Sequence, residues 1–347
     1  SLEKGNPDSK GLDPRVREDD RKNDEPNLTI VILTYNSGMT LRECLDSLIN
    51  QTNQDFKLLI VDDDSTDDTL KIVDFYKSNS KLKIDVVRNG THSIPKGRNI
   101  GMRSCETDFL AFLDSDDYAD IYWVESIIKT FNANPEIAFL SGSLTFFGRN
   151  ATGKAIAAID GAIRKFLNKD ANSFSTASSA FNKKILKNDY LFDEDFTASE
   201  DRELASRIKK HHQQIFVPEI LVYQSSRETF KSYVRQMYFY GLWTAYYNFT
   251  ANKYSLMESI PSIIIVLSIV VSIILSSFLP LLAIFIFSFL ESLFVMIEAH
   301  TGSIVSLLIF PAWLIKNCAW SLGLVTGLII LVFDNKIRNN FVQKRHN

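Results

Sequence analysis

Apolar and polar positions alternate along the first two thirds of the chain in short, regular blocks. Residues 29–33, 56–61, 83–87 and 109–113 are apolar or β-branched runs of strand length. Between them the apolar positions recur at helical spacing, as in Leu41, Leu45, Leu48 and Ile49, then Leu70 and Val73. A further helix is expected to open at Gly97-Arg98-Asn99. Strands alternating with helices predict a parallel sheet covered on both faces, an α/β fold. The unbroken run at 109–113 fits a strand buried on both sides.

Three of these strands end in polar clusters: Thr34-Tyr35-Asn36, Asp62-Asp63-Asp64 and Asp114-Ser115-Asp116. In open parallel sheets, ligands bind beyond the carboxyl ends of the strands. One site at that edge accounts for all three clusters; three separate solvated turns are the alternative. Asp114, Asp116 and Asp117 fall within four positions, and like charges that close repel unless a cation neutralises them. Oxygen ligands at a strand end suit Mg²⁺ or Mn²⁺, with a nucleoside diphosphate completing the set. Read alone, the same stretch also fits an acidic turn capping the next helix.

The pattern changes after residue 225. Nine aromatic residues lie between 233 and 254, with Arg227, Lys231, Arg235 and Lys253 around them. Aromatic and basic residues before an apolar run suit a membrane interface. Three apolar blocks follow, at 260–279, 281–299 and 304–333. Pro280 separates the first two, Glu291 and Glu298 fall in or near the second, and Pro311 and Lys316-Asn317 interrupt the third. Twenty apolar residues suffice to span a bilayer. Lys336, Arg338, Lys344 and Arg345 follow, and basic residues favour the cytosolic side. A cytosolic α/β domain and a cytosolic tail require an even number of crossings. The expectation is four, with a short third; two crossings and a re-entrant block are the alternative.

The sequence thus divides into a polar tail (1–26), an α/β domain (28–225), interfacial amphipathic helices (226–258), transmembrane helices (259–335) and a basic cytosolic tail (336–347). The tail at 1–26 is too polar to build a core and is expected to be disordered. Composition adds little. The net charge of −3 over 347 residues gives no sign of a nucleic-acid partner. Cys44, Cys105 and Cys318 are odd in number and lack metal-site spacing, which points to a reducing compartment. The five histidines show no ligand spacing either.

Four segments taken together are similar to glycosyltransferase family 2. They are Thr29-Ile-Val-Ile-Leu-Thr-Tyr-Asn36, Leu59-Ile-Val-Asp-Asp-Asp-Ser-Thr-Asp67, Gly97-Arg-Asn-Ile-Gly101 and Phe112-Leu-Asp-Ser-Asp-Asp117. Ser199-Glu200-Asp201, with Leu204 and Arg207, resembles the Glu-Asp helix of that family. The resemblance covers residues 28–225. It implies a GT-A fold, a nucleotide-sugar donor (a UDP- or GDP-sugar), a divalent cation and inversion at the anomeric carbon. Asp64 departs from it, standing where the family more often has Gly. So does Gln224, where membrane-attached relatives often carry His. There is no Gln-x-x-Arg-Trp motif, which argues against a processive polymerase.

The resemblance also implies roles. Asp116 is the expected metal ligand, with Asp114 supporting it or contacting the ribose. Thr34, Tyr35 and Asn36 would line the nucleobase pocket, with Asp62 and Asp63 as base contacts, and Arg98 would bind the diphosphate. Asp117 is expected to cap the next helix. Asp201 is the candidate general base and Glu200 its neighbour in positioning the acceptor; two acids at a helix start would also be stabilised there without any chemistry. Arg207 either reaches a phosphate or pairs with Glu203 four residues earlier. The expected activity is sugar transfer to a hydroxyl of a lipid-linked saccharide in polysaccharide or glycoconjugate assembly, by an integral membrane enzyme. A polyprenyl-phosphate glycosyltransferase is the alternative. A haloacid-dehalogenase-like phosphatase using Asp62-x-Asp64-x-Thr66, or a non-catalytic scaffold, is more remote: a complete strand–loop–helix precedes that motif, and acids stand at every expected station.

Overall fold

A computed structural model describes residues 26–167, 175–187, 189–251, 256–277, 279–299, 303–334 and 337. Lys253, Tyr254, the Glu298 side chain, the basic residues from Lys336 onward and the polar tail before residue 26 lie outside the described set. The strands are β1 (Leu28–Thr34), β2 (Phe56–Asp62), β3 (Ile84–Arg88), β4 (Phe109–Phe112), β5 (Tyr118–Ala119), β6 (Ile137–Phe147), β7 (Ser179–Asn182) and β8 (Gln213–Ser225). The helices of the sheet domain are α1 (Leu41–Ile49), α2 (Thr69–Asn79), α3 (Ile94–Ser104), α4 (Trp123–Ala133), α5 (Ala151–Leu167), α6 (Lys183–Leu186) and α7 (Glu200–Ile208).

Eight strands form one sheet in the order β3-β2-β1-β4-β7-β6-β8-β5. The half from β3 to β4 is parallel, as the alternation predicts. The other half is mixed: β7 runs antiparallel to both β4 and β6, and β8 is parallel to β6. Residues in β1 alternate between two cores. Ile30 and Ile32 pack with Leu41, Leu45 and Trp123 on one face, and Val31 packs with Met102, Phe112 and Leu204 on the other. This two-sided burial is why the parallel strands read as continuous apolar runs.

The C-terminal helices are α8 (Phe230–Ala251), α9 (Leu256–Ile274), α10 (Leu282–Ala299) and α11 (Ser303–Phe333). Among the described residues two helices are long and apolar enough to cross a membrane, over 279–297 and 304–333. The first block is shorter than expected. Its apolar helix covers only Ile260–Ile274, because the chain turns at Ser276, whose φ is +47°. The third block is one continuous helix rather than two spans, with Pro311 inside it. At 1.5 Å per residue its 31 residues extend about 46 Å, well beyond a hydrocarbon core of about 30 Å. The two helices expected in this block are therefore one. Glu291 on α10 faces α11, accepting from Trp313 Nε1 at 2.6 Å and Asn317 Nδ2 at 2.7 Å.

In the segment expected as interfacial helices, residues 230–251 form α8, which is laid along α11. Tyr233, Met237, Ala245, Tyr246 and Tyr247 are buried, while Val234, Phe239 and Tyr240 are exposed. The axes come close enough that a Cβ on Gly241 would run into the Trp320 carbonyl, and one on Gly323 into the Tyr238 carbonyl. The sheet domain reaches the same bundle through α5, which the sequence reading passed over. Its Ala155, Ile156 and Ile159 pack with Val295, Ile309 and Trp313.

Candidate functional site

β1 and β2 pair so that Thr34 stands opposite Asp62, and the N–H of Leu113 donates to the Val31 carbonyl at 3.1 Å. The three polar strand ends therefore open on one edge of the sheet. Thr34 and Asp62 form its floor. Asp62 is fully buried; Oδ1 accepts from Thr34 Oγ1 at 2.9 Å and Oδ2 from the Ser65 N–H at 3.0 Å. Asn36 stitches two loops together. Its N–H donates to Ser65 Oγ at 2.9 Å, and its Oδ1 accepts from the Thr66 N–H at 2.9 Å. Tyr35, between these anchors, is 57% exposed.

Asp63 and Asp64 diverge. Asp63 Oδ1 accepts from the N–H groups of Thr91 and His92, both at 3.0 Å. Asp64 turns outward with φ +58° and meets Arg88 at 3.3 Å. That left-handed backbone is the reason a glycine suits this position, and Asp is among the residues that tolerate it.

Asp114 and Asp116 stand at the end of β4, partly exposed. Burial, then the Asp114 carboxylate, push the Asp116 carboxyl above its usual range, while Arg227 and Arg149 pull it down. Asp117 is 1% exposed and caps no helix. Its Oδ2 accepts from Gln224 Nε2 at 3.0 Å and its Oδ1 from the Ser225 N–H at 3.2 Å, so it ties down the end of β8. The Gln224 departure is thus an amide serving Asp117. Arg149, which the sequence reading missed, bonds Ser225 Oγ at 3.1 Å and pairs with Glu43.

Among the described residues no group of three His, Cys, Asp or Glu side chains is placed to hold a metal ion. Asp114 and Asp116 offer carboxylate oxygens of the type Mg²⁺ and Mn²⁺ take, and Asp117 is occupied elsewhere. The donor set fits a hard divalent cation only as a partial shell, to be completed by phosphate oxygens and water.

Arg98 does not face open space. It is 7% exposed, pairs with Glu200, and lies 3.7 Å from Asp114 Oδ1. Its guanidinium also stacks over Phe112 at 6.0 Å and Phe192 at 5.5 Å. Burial pushes the Glu200 carboxyl up to about 7, against the pull of Arg98. Asp201 follows in the first turn of α7; Oδ1 accepts from the Arg202 N–H at 2.7 Å. Arg207 takes the pairing alternative, with Nε 2.6 Å from Glu203 Oε1 and a further bond to the Leu191 carbonyl. Arg202 lies over the Tyr247 ring at 4.6 Å, bringing α7 against α8.

Residues 29–189 match the family described as Glycosyl transferase family 2. The poly(ribitol-phosphate) beta-N-acetylglucosaminyltransferase TarS of Staphylococcus aureus is 37% identical over 92 residues, covering 26% of this chain and 16% of that protein. The putative glycosyltransferase EpsH of Bacillus subtilis is 28% identical over 132 residues, covering 38% of this chain and 37% of that one. Both matches thus cover well under half of the relative's length. The mannosyltransferase PcManGT from Pyrobaculum calidifontis, solved in complex with GDP-Man and Mn²⁺, shares the fold. Its TM-score is 0.54 at 15% identity, over 90% of this chain and 88% of that one. The strand ends, the acidic loop and the fold agree with that match: residues 29–189 are similar to glycosyl transferase family 2, the α/β domain is GT-A-like, and among the described residues two of the C-terminal helices that follow are apolar enough to span a membrane.

Proposed function

We propose that this protein is an inverting glycosyltransferase that moves a sugar from a nucleoside-diphosphate sugar to a hydroxyl of a lipid-linked saccharide, in polysaccharide or glycoconjugate assembly. The observation that supports it most is the contact of Arg98 with both Asp114 and Glu200. It joins the acidic end of β4, suited to a donor diphosphate, to the acids that open α7, suited to an acceptor hydroxyl. The donor class agrees with the GDP-Man and Mn²⁺ of the fold neighbour.

Asp116 and Asp114 would hold Mg²⁺ or Mn²⁺, which neutralises charge developing on the leaving diphosphate. The chain's own residues do the rest. Tyr35 presents an exposed ring for the nucleobase, and Thr34, Asn36 and Asp62 fix the loop that carries it. Asp201 takes the proton of the attacking hydroxyl, since an alcohol needs a base to attack at neutral pH. Glu200, held by Arg98, orients that acceptor. Displacement from the face opposite the leaving diphosphate gives inversion. The apolar helices hold the catalytic domain against the cytosolic face of a membrane, where the acceptor's lipid is anchored.

The test is a panel of nucleotide sugars offered to the purified protein with and without Mn²⁺, read by thermal shift and by release of nucleoside diphosphate. Stabilisation and turnover by one sugar nucleotide, dependent on the cation, are expected. No binding to any member would overturn the proposal.

A further inference from the structure

α11 carries one charged residue, Lys316, near its middle. An ammonium in so apolar a helix is costly unless something polar meets it, so it marks a place of use. Its setting is built. Nζ lies 4.8 Å from the centroid of the Trp313 ring, one turn earlier on the same side of the helix. The indole is fixed in turn, because its Nε1 donates to Glu291 at 2.6 Å. Ile309 and Trp313, on that side, pack with Ile156 and Ile159 of α5, so Lys316 is turned toward the α/β domain. Among the described residues no carboxylate comes within ion-pair distance of Nζ; Glu291 and Asp160 act on it from farther away. Both acids already have donors, Glu291 in Trp313 and Asn317, Asp160 in Ser226.

Arg227, just past the end of β8, is in the same condition. Its side chain is exposed, and among the described residues it makes no ion pair or hydrogen bond. Its charge is felt by Asp116 and by Asp160, and Asp160 also feels Lys316. Arg227 thus stands between the acidic end of β4 and the α5 face that meets α11. Two cations not spent on protein partners, one near the donor site and one on an apolar helix, suit an anion carried by an apolar molecule. A lysine is a compact point charge and an arginine a planar fork, and both recognise phosphate oxygens. α11 is apolar on either side of Lys316, with Leu307 and Leu322 exposed, which gives a hydrocarbon chain a surface to lie on.

We propose that Lys316 and Arg227 bind the phosphate group at the head of a membrane lipid, and that the lipid is the acceptor, held by its diphosphate. Glu291 is a positioning residue that sets Trp313 under the Lys316 ammonium. The saccharide beyond the diphosphate then lies on the Asp116 side of Arg227, where the donor sugar is transferred. This rests on the lipid-linked acceptor reading above and gives it a site.

The experiment is native mass spectrometry of the full chain in detergent, titrated with undecaprenyl diphosphate, with undecaprenol as the same chain without phosphate, and with phosphatidylglycerol as an ordinary anionic headgroup. The wild type is expected to retain undecaprenyl diphosphate in preference to both others. Lys316→Gln and Arg227→Gln should each weaken it about tenfold, the scale of one charge-assisted hydrogen bond. Lys316→Arg, which keeps the charge, should recover most of that loss. Arg227 is exposed, so Arg227→Gln tests the site even where Lys316→Gln fails to fold. Stabilisation of Lys316→Gln by a nucleoside diphosphate with Mn²⁺, read by thermal shift, should match that of the wild type. Undiminished retention of undecaprenyl diphosphate by both glutamine variants overturns the site. Phosphatidylglycerol bound as tightly, with the same loss in the variants, overturns the acceptor as its occupant and leaves a headgroup site. A wild type that is stabilised by a nucleoside diphosphate but retains no undecaprenyl diphosphate overturns this inference alone; one that binds neither overturns the glycosyltransferase reading with it.

Discussion

Arg98 and Glu200, 102 positions apart, form a buried ion pair that ties α3 to the first residue of α7. Both side chains are under one tenth exposed. Removing one partner of such a pair leaves a charge in a poorly solvated place, which costs about 3–5 kcal/mol. Arg98→Ala is therefore expected to lower the melting temperature clearly. Glu200→Gln in the same chain should recover most of the loss, because the stranded charge is gone. A melting temperature of Arg98→Ala equal to wild type would show that the pair carries no such weight.

Asp116 carries a different expectation. Its carboxylate is partly exposed, and among the described residues no hydrogen bond or ion pair ties it to another element, so Asp116→Asn should fold and melt normally. Transfer and donor hydrolysis should both be lost. The comparison is turnover in Mn²⁺ against turnover in chelator for both proteins. Undiminished activity of Asp116→Asn in chelator would remove the metal role from this residue.

Two glycines separate a close approach from an open position. A Cβ at Gly323 would meet the Tyr238 carbonyl of α8, so Gly323→Ala forces two helices apart. Overpacking of that kind costs about 1–3 kcal/mol. At Gly161, in the middle of α5, nothing lies within 4 Å of the same atom. Gly161→Ala should stabilise by about 0.5–1 kcal/mol through helix propensity. Thermal unfolding in detergent reads both, and equal effects of the two substitutions would contradict the α8–α11 contact.

The parallel half of the sheet was legible because two-sided burial writes itself as apolar runs, and the site because three such runs end in polar clusters on the same edge. What the sequence withheld were partnerships between distant positions. Nothing local shows that Arg98 is enclosed by Glu200, Phe112 and Phe192, or that Asp117 meets Gln224 across 107 residues. Isolated apolar length misled in the C-terminal third. The run at 260–279 looked long enough to span, but a helix ends where its backbone turns, and here that is before Ser276. The helix α5 did leave a signal: Ala155, Ile156, Ile159 and Ile163 fall at helical spacing.

Asp160, on the same helix, links pH to stability. Burial pushes its carboxyl from 3.8 up to about 6, while a bond from Ser226 Oγ at 2.8 Å and the charges of Lys316 and Arg227 oppose the shift. A carboxyl raised on folding favours the folded state below its unfolded value, where it is protonated in both states without penalty. That contribution is lost as pH rises through the folded value. The window runs from about 4 to about 6, and the shift corresponds to at most about 3 kcal/mol. Asp160→Asn should flatten the fall in stability across that window relative to wild type. Parallel pH profiles for the two proteins would rule out this linkage.

Asp201 decides between two acceptors. A polyprenyl monophosphate is already an anion at neutral pH and attacks without a base, whereas a sugar hydroxyl must lose a proton as it attacks. Asp201 opens α7 next to Glu200, and α7 meets α8 through Arg202 and Tyr247, which puts these acids on the side of the helical bundle. A hydroxyl acceptor on a lipid-linked sugar is therefore the expectation. Asp201→Asn keeps the shape and removes the base, and the loss should be on the order of 10²–10⁴-fold in rate with a polyprenyl-pyrophosphate saccharide. The same pair of proteins is assayed with polyprenyl phosphate. If the wild type glycosylates the bare phosphate efficiently and Asp201→Asn leaves that rate intact, the protein is a polyprenyl-phosphate glycosyltransferase and Asp201 is not its base.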